Sequence, residues 1–278
     1  MKMVMTHDKS LIKFLEEKAK VLRKHTLEMI RSSGIGWLGG SFSEAEIVTV
    51  LYFHQMKHDP RNPRWMERDR LIVSKAHCCE MVYAALGESG YFPKEEFLRY
   101  GKFGAILQAH TDRRTVPGVE YSGGSLGEGL SFAVGEALAA KIDGLDYKVY
   151  CIIGDGECDE GQVWEAVLSA AHFKLDNLIA LVDHNKFQST GEVSKKIRLE
   201  PLSEKWKAFG WHVMEVDGHN IEQLLDTLDE VGNVKGQPHA IICHTIKGKG
   251  VPSFEGKNLH FVKVTDEMYS EALKILGE

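Results

Sequence analysis

The stretch that decides the fold reads VYCIIGDGE at residues 149–157 and continues, after a helical pattern, to LIALVDHNKF at residues 178–187. Both segments begin with an apolar run that is typical of a buried strand. Parallel strands joined by a crossover helix end at the same edge of their sheet. Asp155 and Asn185 follow the two strands, and we therefore expect their side chains to lie close together at that edge.

Carboxylate and amide oxygens suit Mg²⁺, which completes its octahedron with phosphate oxygens and water. Gly154 and Gly156 flank Asp155 and let backbone N–H groups approach a phosphate closely, and the helix predicted after Gly156 offers its positive end. A Gly-Asp-Gly tripeptide by itself is more often a turn. Asn185 at the end of the second strand favours a site for a magnesium-bound diphosphate instead.

The pattern Gly154-Asp155-Gly156 with Asn185 resembles the thiamine diphosphate fingerprint, in which an Asp, an Asn and a backbone carbonyl two residues further on hold Mg²⁺. Four other segments resemble transketolases, in one consistent order. They are DRLIVSKAH at residues 69–77, VPGVEYSGGSLGEGLS at 116–131, GECDEGQVWEA at 156–166, and TIKGKG at 245–250 followed by His260. The resemblance covers about residues 10–265 and identifies the chain as a member of the transketolase family.

The resemblance implies roles for individual residues. Asp155, Asn185 and the carbonyl of Phe187 would hold Mg²⁺, with Ca²⁺ or Mn²⁺ as substitutes. The residues expected against thiamine diphosphate are Gly124, Leu126, Gly154, Asp155, Gly156, Glu157, Asn185, His77 and His260. The catalytic candidates are His77, His110 and His260 in the cofactor and sugar channel, and Glu160 in an acid network between subunits. Glu157 also has a structural interpretation as a helix-start carboxylate, and for His184 a structural role is favoured.

The present sequence corresponds to the N-terminal, diphosphate-binding portion of a transketolase, whose chain is more than twice as long. The resemblance therefore predicts one subunit of a split enzyme that transfers a two-carbon ketol unit from a ketose to an aldose. The expected partner is a C-terminal subunit that carries the pyrimidine-binding domain, and the expected assembly is a heterotetramer of two plus two.

The first glycine-rich loop, SGIGWLGGS at residues 33–41, departs from the family pattern Ser-Gly-His-Pro-Gly-Gly-Ser. It is two residues longer and lacks the His. The other departures are Ala76, Thr111, Glu128, Leu259 and Phe261. Because an apolar stretch facing the channel would change which sugars fit, we predict intact cofactor anchoring with an atypical substrate preference.

Two alternatives stay open at this point. The α subunit of a thiamine-dependent 2-oxo acid dehydrogenase shares the Mg²⁺ fingerprint, although the SLGEG and KGKG segments argue against it. A non-catalytic, cofactor-binding interaction protein is motivated by the lost loop His. A nicotinamide dehydrogenase is the weakest option, because no Gly-x-Gly-x-x-Gly follows the first strand of a βαβ unit.

Composition agrees with one globular α/β domain over residues 1–278. A net charge of −6 without a basic block argues against binding to nucleic acid or an anionic membrane. Residues 1–6 lack a secretory pattern, so we expect a cytoplasmic location. Five cysteines without a Cys-x-x-Cys pair do not predict a disulfide or zinc framework, and Cys78, Cys79, Cys151 and Cys243 are interpreted as packing residues.

The alternation of strands and helices predicts a doubly wound, mostly parallel sheet with helices on both faces. The predicted strands are 70–74, 147–153, 178–183, 211–216 and 239–244. The predicted helices are 9–33, 76–88, 93–100, 125–141, 160–173 and 220–231. A loop is predicted over residues 34–40, and Ser43 with Glu46 has the pattern of a capping box that opens the next helix.

Overall fold

The computed structural model describes residues 7–277. Within that range, five parallel strands form one sheet in the order β1-β2-β3-β7-β6. These strands are β1 Arg70–Val73, β2 Val149–Gly154, β3 Leu178–His184, β6 His212–Asp217 and β7 His239–His244, and a separate antiparallel hairpin consists of β4 Phe187–Gln188 and β5 Gly191–Glu192. The carboxyl ends of β1, β2, β3 and β7 therefore share one edge of the sheet.

Helices cover both faces of this sheet. They are α1 Lys9–Ser33, α2 Leu38–Ser43, α3 Ala45–Val50, α4 Cys79–Ser89, α5 Glu128–Asp143, α6 Gly161–His172, α7 Leu202–Ala208, α8 Ile221–Glu230 and α9 Asp266–Leu276. Because successive strand side chains point to opposite faces, β2 sends Tyr150 and Ile152 into a core with α3, α4 and α8. It sends Cys151 and Ile153 into a second core with α5, α6 and α7. The predicted doubly wound α/β fold is confirmed.

Most element boundaries agree with the predictions to within three residues. The segment predicted as a helix over 93–100 is instead a 3₁₀ stretch, Lys94–Arg99, and the region after α1 also differs. The predicted helix 9–33 ends at Ser33, where Gly34 adopts a φ of 87° and its N–H donates to the Ile30 carbonyl oxygen at 3.0 Å. The predicted loop 34–40 is wrong in its second half, because α2 begins at Leu38. α2 is entirely buried, so packing against the core outweighs the low helix propensity of Gly39 and Gly40.

The predicted capping box is also wrong. Ser43 is the last residue of α2, and its hydroxyl donates to Asp183 Oδ2 at 2.6 Å and contacts the Gly40 carbonyl oxygen at 2.9 Å. Glu46 lies in the first turn of α3 and pairs with Arg23 of α1 and with His219. Tertiary partners therefore take the two side chains that a local cap would use.

The ion pair between Arg23 and Glu46 ties α1 to α3. Arg23 Nη1 and Nη2 lie 2.6 and 2.8 Å from the two oxygens of Glu46, and His219 Nδ1 lies 2.9 Å from Oε2. Burial by itself raises the pKa of Glu46, but Arg23 and His219 outweigh it and hold that pKa at about 2. The carboxylate therefore contributes stability that is present above the ordinary pKa of 4.5 and is lost as the pH falls through about 2.

Glu46→Gln is expected to lower the free energy of unfolding at pH 7 by about 3–5 kcal/mol, since it leaves the buried Arg23 guanidinium without its counter-ion. It should also flatten the loss of stability between pH 4.5 and 2. Urea denaturation at several pH values measures both effects. Glu16→Gln, which changes an exposed residue of α1, is the control and should change stability by less than about 0.5 kcal/mol. Equal effects of the two substitutions would contradict the prediction.

The four cysteines predicted to be packing residues are all buried and free, as is Cys158. No helix among residues 7–277 is long and apolar enough to cross a membrane. The cytoplasmic location stays a prediction, and so does the single domain over residues 1–278. The interpretation of residues 1–6 as a non-secretory start lies outside the described residues.

Candidate functional site

A cavity of about 500 Å³ opens at the carboxyl edge of the sheet. All the predicted site residues line it: His77, His110, Gly124, Leu126, Gly154, Asp155, Gly156, Glu157, Glu160, Asn185, Phe187 and His260. They come from segments that are far apart in the sequence, and the parallel order of the strands brings them to one edge. The structure therefore assembles the residues that the sequence predicted as one site.

Asp155 is a buried carboxylate that lines this cavity. It is 1% exposed, and its carboxylate accepts hydrogen bonds from the backbone N–H groups of Gly156 at 2.8 Å and Lys186 at 2.6 Å. Among the described residues, no lysine or arginine side chain forms an ion pair with it. Burial, reinforced by the nearby negative charge of Asp183, raises the pKa of Asp155 to about 7. Such a carboxylate is suited to receive a cation from outside the chain.

Asn185 is oriented by hydrogen bonds on its amide nitrogen. Nδ2 donates to Asp183 Oδ2 at 2.9 Å and to the Ser43 hydroxyl at 3.2 Å. This arrangement leaves Oδ1 as the acceptor of the amide, and among the donors of residues 7–277 it accepts from the Phe187 N–H alone, at 3.0 Å. Because the amide nitrogen is held by hydrogen bonds, the amide oxygen points in a fixed direction, as is typical of metal ligands.

Lys186 lies between Asn185 and Phe187, two of the three predicted metal ligands. Its φ of 68° falls in the left-handed region that non-glycine residues rarely adopt. The turn lets its N–H reach Asp155 while the next residue, Phe187, begins β4. The strained residue therefore joins the end of β3 to the carboxylate at the end of β2. His110, which also lines the cavity, has a φ of 68° as well.

A buried charge network lies directly behind Asn185. Lys75 Nζ lies 2.7 Å from Asp183 Oδ2 and 2.8 Å from Glu44 Oε2, and all three residues are buried. The contact with Glu44 is an ion pair without hydrogen-bond geometry. Burial raises the pKa of Glu44 to about 7, against the opposing charge of Lys75. Burial also opposes ionisation of Asp183, but Lys75 and the hydroxyl donors outweigh it and lower the pKa of Asp183.

The turn after Asp155 separates Gly156 from the helix predicted over residues 160–173. The residues after Gly156 form a single 3₁₀ turn, Gly156–Asp159, and α6 begins only at Gly161. The Gly156 N–H is already bound to Asp155, and a Cβ on Gly156 would come within 2.7 Å of Gln188 Cβ. Close packing against Gln188 therefore requires a glycine at this position, whether or not a phosphate is bound.

Glu157 lines the cavity but uses its carboxylate internally. Its oxygens accept from the Gly127 N–H at 2.8 Å, from the Gly154 N–H at 3.0 Å and from the Ser74 hydroxyl. These bonds join the carboxyl ends of β1 and β2 to the loop before α5. The geometry supports a positioning role for Glu157 rather than direct contact with a diphosphate.

Gly124 supplies open space at the opposite wall. A Cβ built on it would meet nothing closer than His110 Cδ2 at 3.9 Å, and the residue lines the cavity. Leu126 lies two residues further on, also at the cavity wall. A side chain at position 124 would fill this space. The absence of a side chain at Gly124 therefore leaves room for a planar ring to approach the backbone.

The rings of His77 and His260 lie against each other, with centroids 5.0 Å apart and planes tilted by 56°. Burial, together with Lys75, lowers the pKa of His77 to about 2, and burial with Lys247 lowers the pKa of His260 to about 4. Both rings are therefore neutral at physiological pH. A neutral imidazole can donate one hydrogen bond and accept another beside reacting oxygens.

The loop at residues 33–41, which differs from the family pattern, places the indole ring of Trp37 at the wall of the cavity. Trp37 lies with its ring centroid 5.0 Å from His110, 6.5 Å from His77 and 4.7 Å from Phe261. The loop is held by Gly36, which forms a two-residue antiparallel bridge with Val262. Trp37 and Phe261, which the family pattern lacks, therefore pack against each other, and we call this pair the aromatic wall.

Glu160 and His184 lie at different depths. Glu160 is exposed at the rim of the cavity, where a second subunit could reach it. His184 is buried, with Nδ1 at 3.2 Å from His244 and Nε2 at 3.0 Å from Glu200. It does not line the cavity, but its Nε2 lies 3.9 Å from Asp155 Oδ2, and its structural role stays a prediction.

Sequence reasoning missed several residues of the cavity. Lys75 and Lys247 both line it, as do Asp159, Gln188, Ser189 and Ile197. Lys247 is 2% exposed, and burial lowers the pKa of its ammonium group. The signal for both lysines was present, since they lie in the segments DRLIVSKAH and TIKGKG that carry the family resemblance.

Within residues 7–277, no group of three His, Cys, Asp or Glu side chains could hold a metal ion. The predicted site differs from such a group, because it consists of one carboxylate, one amide oxygen and one backbone carbonyl. Asp155 is the one acidic side chain among these three ligands. The donor set is nevertheless all oxygen, as Mg²⁺ and Ca²⁺ prefer. The residues present fit a divalent ion that takes its remaining ligands from a phosphate and water.

Residues 15–277 match the family described as "Transketolase, thiamine diphosphate binding domain". The chain belongs to the transketolase family, and the thiamine diphosphate-binding α/β fold is the fold of that domain. The resemblance found in the sequence is therefore confirmed.

Two relatives show that this domain occurs as a separate subunit. The chain is 47% identical over 260 residues to the 6-deoxy-6-sulfo-D-fructose transketolase subunit SqwG of Clostridium sp. (strain MSTE9), covering 93% of this chain and 94% of the relative. It is 39% identical over 268 residues to an apulose-4-phosphate transketolase subunit of Phocaeicola vulgatus, covering 96% and 95%. The prediction of a split transketolase subunit is confirmed by the match to these relatives, which are both named as subunits.

A solved transketolase from Campylobacter jejuni superposes with a TM-score of 0.91 at 32% identity. The match covers 95% of this chain but 43% of that chain. The present chain thus corresponds in fold to less than half of that transketolase.

Proposed function

We propose that this chain is the diphosphate-binding subunit of a thiamine diphosphate- and Mg²⁺-dependent transketolase with an atypical sugar preference. The single observation that carries the proposal is the buried carboxylate of Asp155, which pairs with no lysine or arginine of residues 7–277, beside the oriented amide of Asn185. A buried charge of this kind is costly unless a ligand compensates it. A metal-bound diphosphate supplies that compensation.

In this proposal, Asp155, Asn185 and the Phe187 carbonyl hold Mg²⁺, and Gly124 and Leu126 support the cofactor's ring. When bound, thiamine diphosphate supplies the carbanion chemistry that breaks and forms the carbon–carbon bond of a ketose. His77, His110 and His260 orient sugar oxygens and hold or accept protons there, because His77 and His260 are neutral donors and acceptors. Lys247, close to Phe187, adds a positive charge for the diphosphate.

The proposed partner is a C-terminal subunit with the pyrimidine-binding domain, in a complex of two plus two. The exposure of Glu160 at the cavity rim supports this assignment, because a carboxylate of an inter-subunit network must be reachable. The test is to purify the complex from cells that express both subunits and to assay ketol transfer. Transfer that needs both chains, thiamine diphosphate and Mg²⁺ is expected; activity of this chain alone would contradict the proposal.

The proposed substrates are ketoses that differ from xylulose 5-phosphate in their distal group. The names of the two relatives specify a sulfonated fructose and apulose 4-phosphate, and Trp37 lies at the cavity on the loop that lacks the family's His. A panel of phosphorylated, sulfonated and unsubstituted ketoses, assayed with the complex, tests this part. A clear preference for xylulose 5-phosphate with ribose 5-phosphate would defeat it.

Trp37→Ala is expected to change the ratio of kcat/KM values between two donors of the panel by about 10-fold or more, because it removes an aromatic wall of the cavity. Ile35→Ala is the matched control. It lies on the same loop, is 42% exposed and does not line the cavity. An unchanged donor ratio in the Trp37 variant would show that the aromatic wall does not select the sugar.

A further inference from the structure

A second concave surface, which we call the arginine groove, has no part in the function proposed above. It encloses about 690 Å³ between residues 63–70, residues 113–120 and Glu136 of α5. Its arginines, within the described part of the chain, are Arg64, Arg68, Arg70, Arg113 and Arg114. Since Arg70 begins β1, the groove lies at the amino edge of the sheet, opposite the edge that carries Asp155.

Two of these arginines form a rigid floor. Arg68 makes a two-point ion pair with Glu120, with Nε–Oε1 at 2.8 Å and Nη2–Oε2 at 2.6 Å. Arg70 is 4% exposed, its guanidinium lies 4.2 Å from the centre of the Tyr147 ring, and Nη2 donates to the Met66 carbonyl oxygen at 2.8 Å. The closest carboxylate to Arg70 is that of Glu136 at 3.9 Å. The floor is therefore preorganised, and the charge of Arg70 is only loosely compensated.

The other three arginines stand at the exposed rim. Arg114 pairs with Asp112, with Nη2–Oδ2 at 2.7 Å. Arg64 and Arg113 have no ion pair or side-chain hydrogen bond with any residue of the 7–277 range. The charged residues that line the groove are these five arginines with Glu120 and Glu136. Together with Asp112, the partner of Arg114, they carry an excess of two positive charges in a chain whose formal net charge is −6.

The chemistry of the groove points to a phosphorylated ligand. Guanidinium groups bind phosphate oxygens in pairs and remain charged at every physiological pH. The volume falls in the range of small-molecule sites, and Pro117 and Val119 add an apolar wall. We propose that the arginine groove binds a small molecule that carries two or more phosphates, with its phosphates at Arg64 and Arg113 and its uncharged part against Pro117 and Val119.

The test measures ATP binding by calorimetry to the assembled two-subunit complex, saturated with thiamine diphosphate and Mg²⁺ so that the first cavity is filled. Saturable binding of one ATP for each copy of this chain is expected. Arg64→Gln combined with Arg113→Gln should weaken it by about 10-fold or more, since each removed guanidinium deletes a charge-assisted bond. Lys9→Gln combined with Lys13→Gln removes the same charge from exposed positions of α1 and should leave the affinity unchanged.

Inorganic phosphate, measured in parallel, should bind far more weakly than ATP if several phosphates are recognised together. An ATP affinity that does not change when a further excess of thiamine diphosphate is added would place the ligand outside the cofactor cavity, as proposed. The proposal is overturned by an unchanged affinity in the double arginine variant, by an equal loss in the double lysine variant, or by the absence of saturable ATP binding to the complex.

Discussion

Asp155→Asn should greatly weaken the uptake of thiamine diphosphate and Mg²⁺ by the assembled complex, and this is the largest effect that we expect. Loss of an outer residue that only orients a metal ligand typically lowers metal affinity 10–100-fold. Loss of a charged ligand that touches the ion should therefore weaken uptake by about 100-fold or more. Isothermal calorimetry of the complex with the cofactor and Mg²⁺ measures the affinity directly.

The same substitution should not lower the stability of the folded chain when the cofactor is absent. A raised carboxyl pKa means that the folded chain binds the proton more tightly than the unfolded chain. The ionised Asp155 therefore costs stability as the pH rises from 3.8 through about 7, and the full cost is present at pH 8. We expect cofactor-free Asp155→Asn chain to be at least as stable at pH 8 as the unchanged chain.

Asp143→Asn provides the control for both measurements, because Asp143 is an exposed carboxylate at the end of α5. It should leave cofactor uptake and stability unchanged. Uptake of the cofactor by the Asp155 variant with normal affinity would remove the basis of the proposed function. A large loss of cofactor-free stability would instead show that Asp155 is a structural residue.

Lys75→Met should have the second-largest effect, and it acts on folding as well as on the site. Without the ammonium group, Asp183 and Glu44 are left buried without a cation. Removing one partner of a buried ion pair typically costs about 3–5 kcal/mol. The free energy of unfolding, measured by denaturation in urea, should fall by about that amount. Lys141→Met, which breaks a half-exposed pair with Asp176, should cost less than about 1 kcal/mol.

A double substitution separates the charge effect from the loss of packing. Combining Lys75→Met with Asp183→Asn removes a negative charge together with the positive one, so the double variant should recover part of the lost stability. The recovery should not extend to the cofactor, because an Asn at position 183 no longer offers two acceptor oxygens to Asn185, Ser43 and Thr245. If the double variant loses as much stability as the two single variants together, the idea of a shared charge network is contradicted.

The fold was predictable because its signals are local. Apolar runs of strand length alternate with helical patterns, and both cores are built from alternate residues of the same strands. The errors lie where a buried partner replaced a local preference. Gly39 and Gly40 join a helix because α2 is wholly buried, and Ser43 gives its hydroxyl to Asp183 rather than to a helix start.

The sequence by itself determined where the candidate cofactor site lies. Asp155 and Asn185 end two strands of one parallel sheet, and the geometry of crossover connections leaves them only one edge on which to meet. The segments that carry His77, Gly124 and His260 were recognisable for the same reason, since each is a short motif that is independent of distant residues.

Only the tertiary structure decided how those residues are charged and what surrounds them. Lys75, Asp183 and Glu44 come from three distant segments, and their pairing depends on burial, which no local pattern encodes. Trp37 faces His110 because Gly36 pairs with Val262, more than two hundred residues further along the chain. The arginine groove likewise exists only after folding, because its charges are spread over three segments that the sheet and α5 bring together.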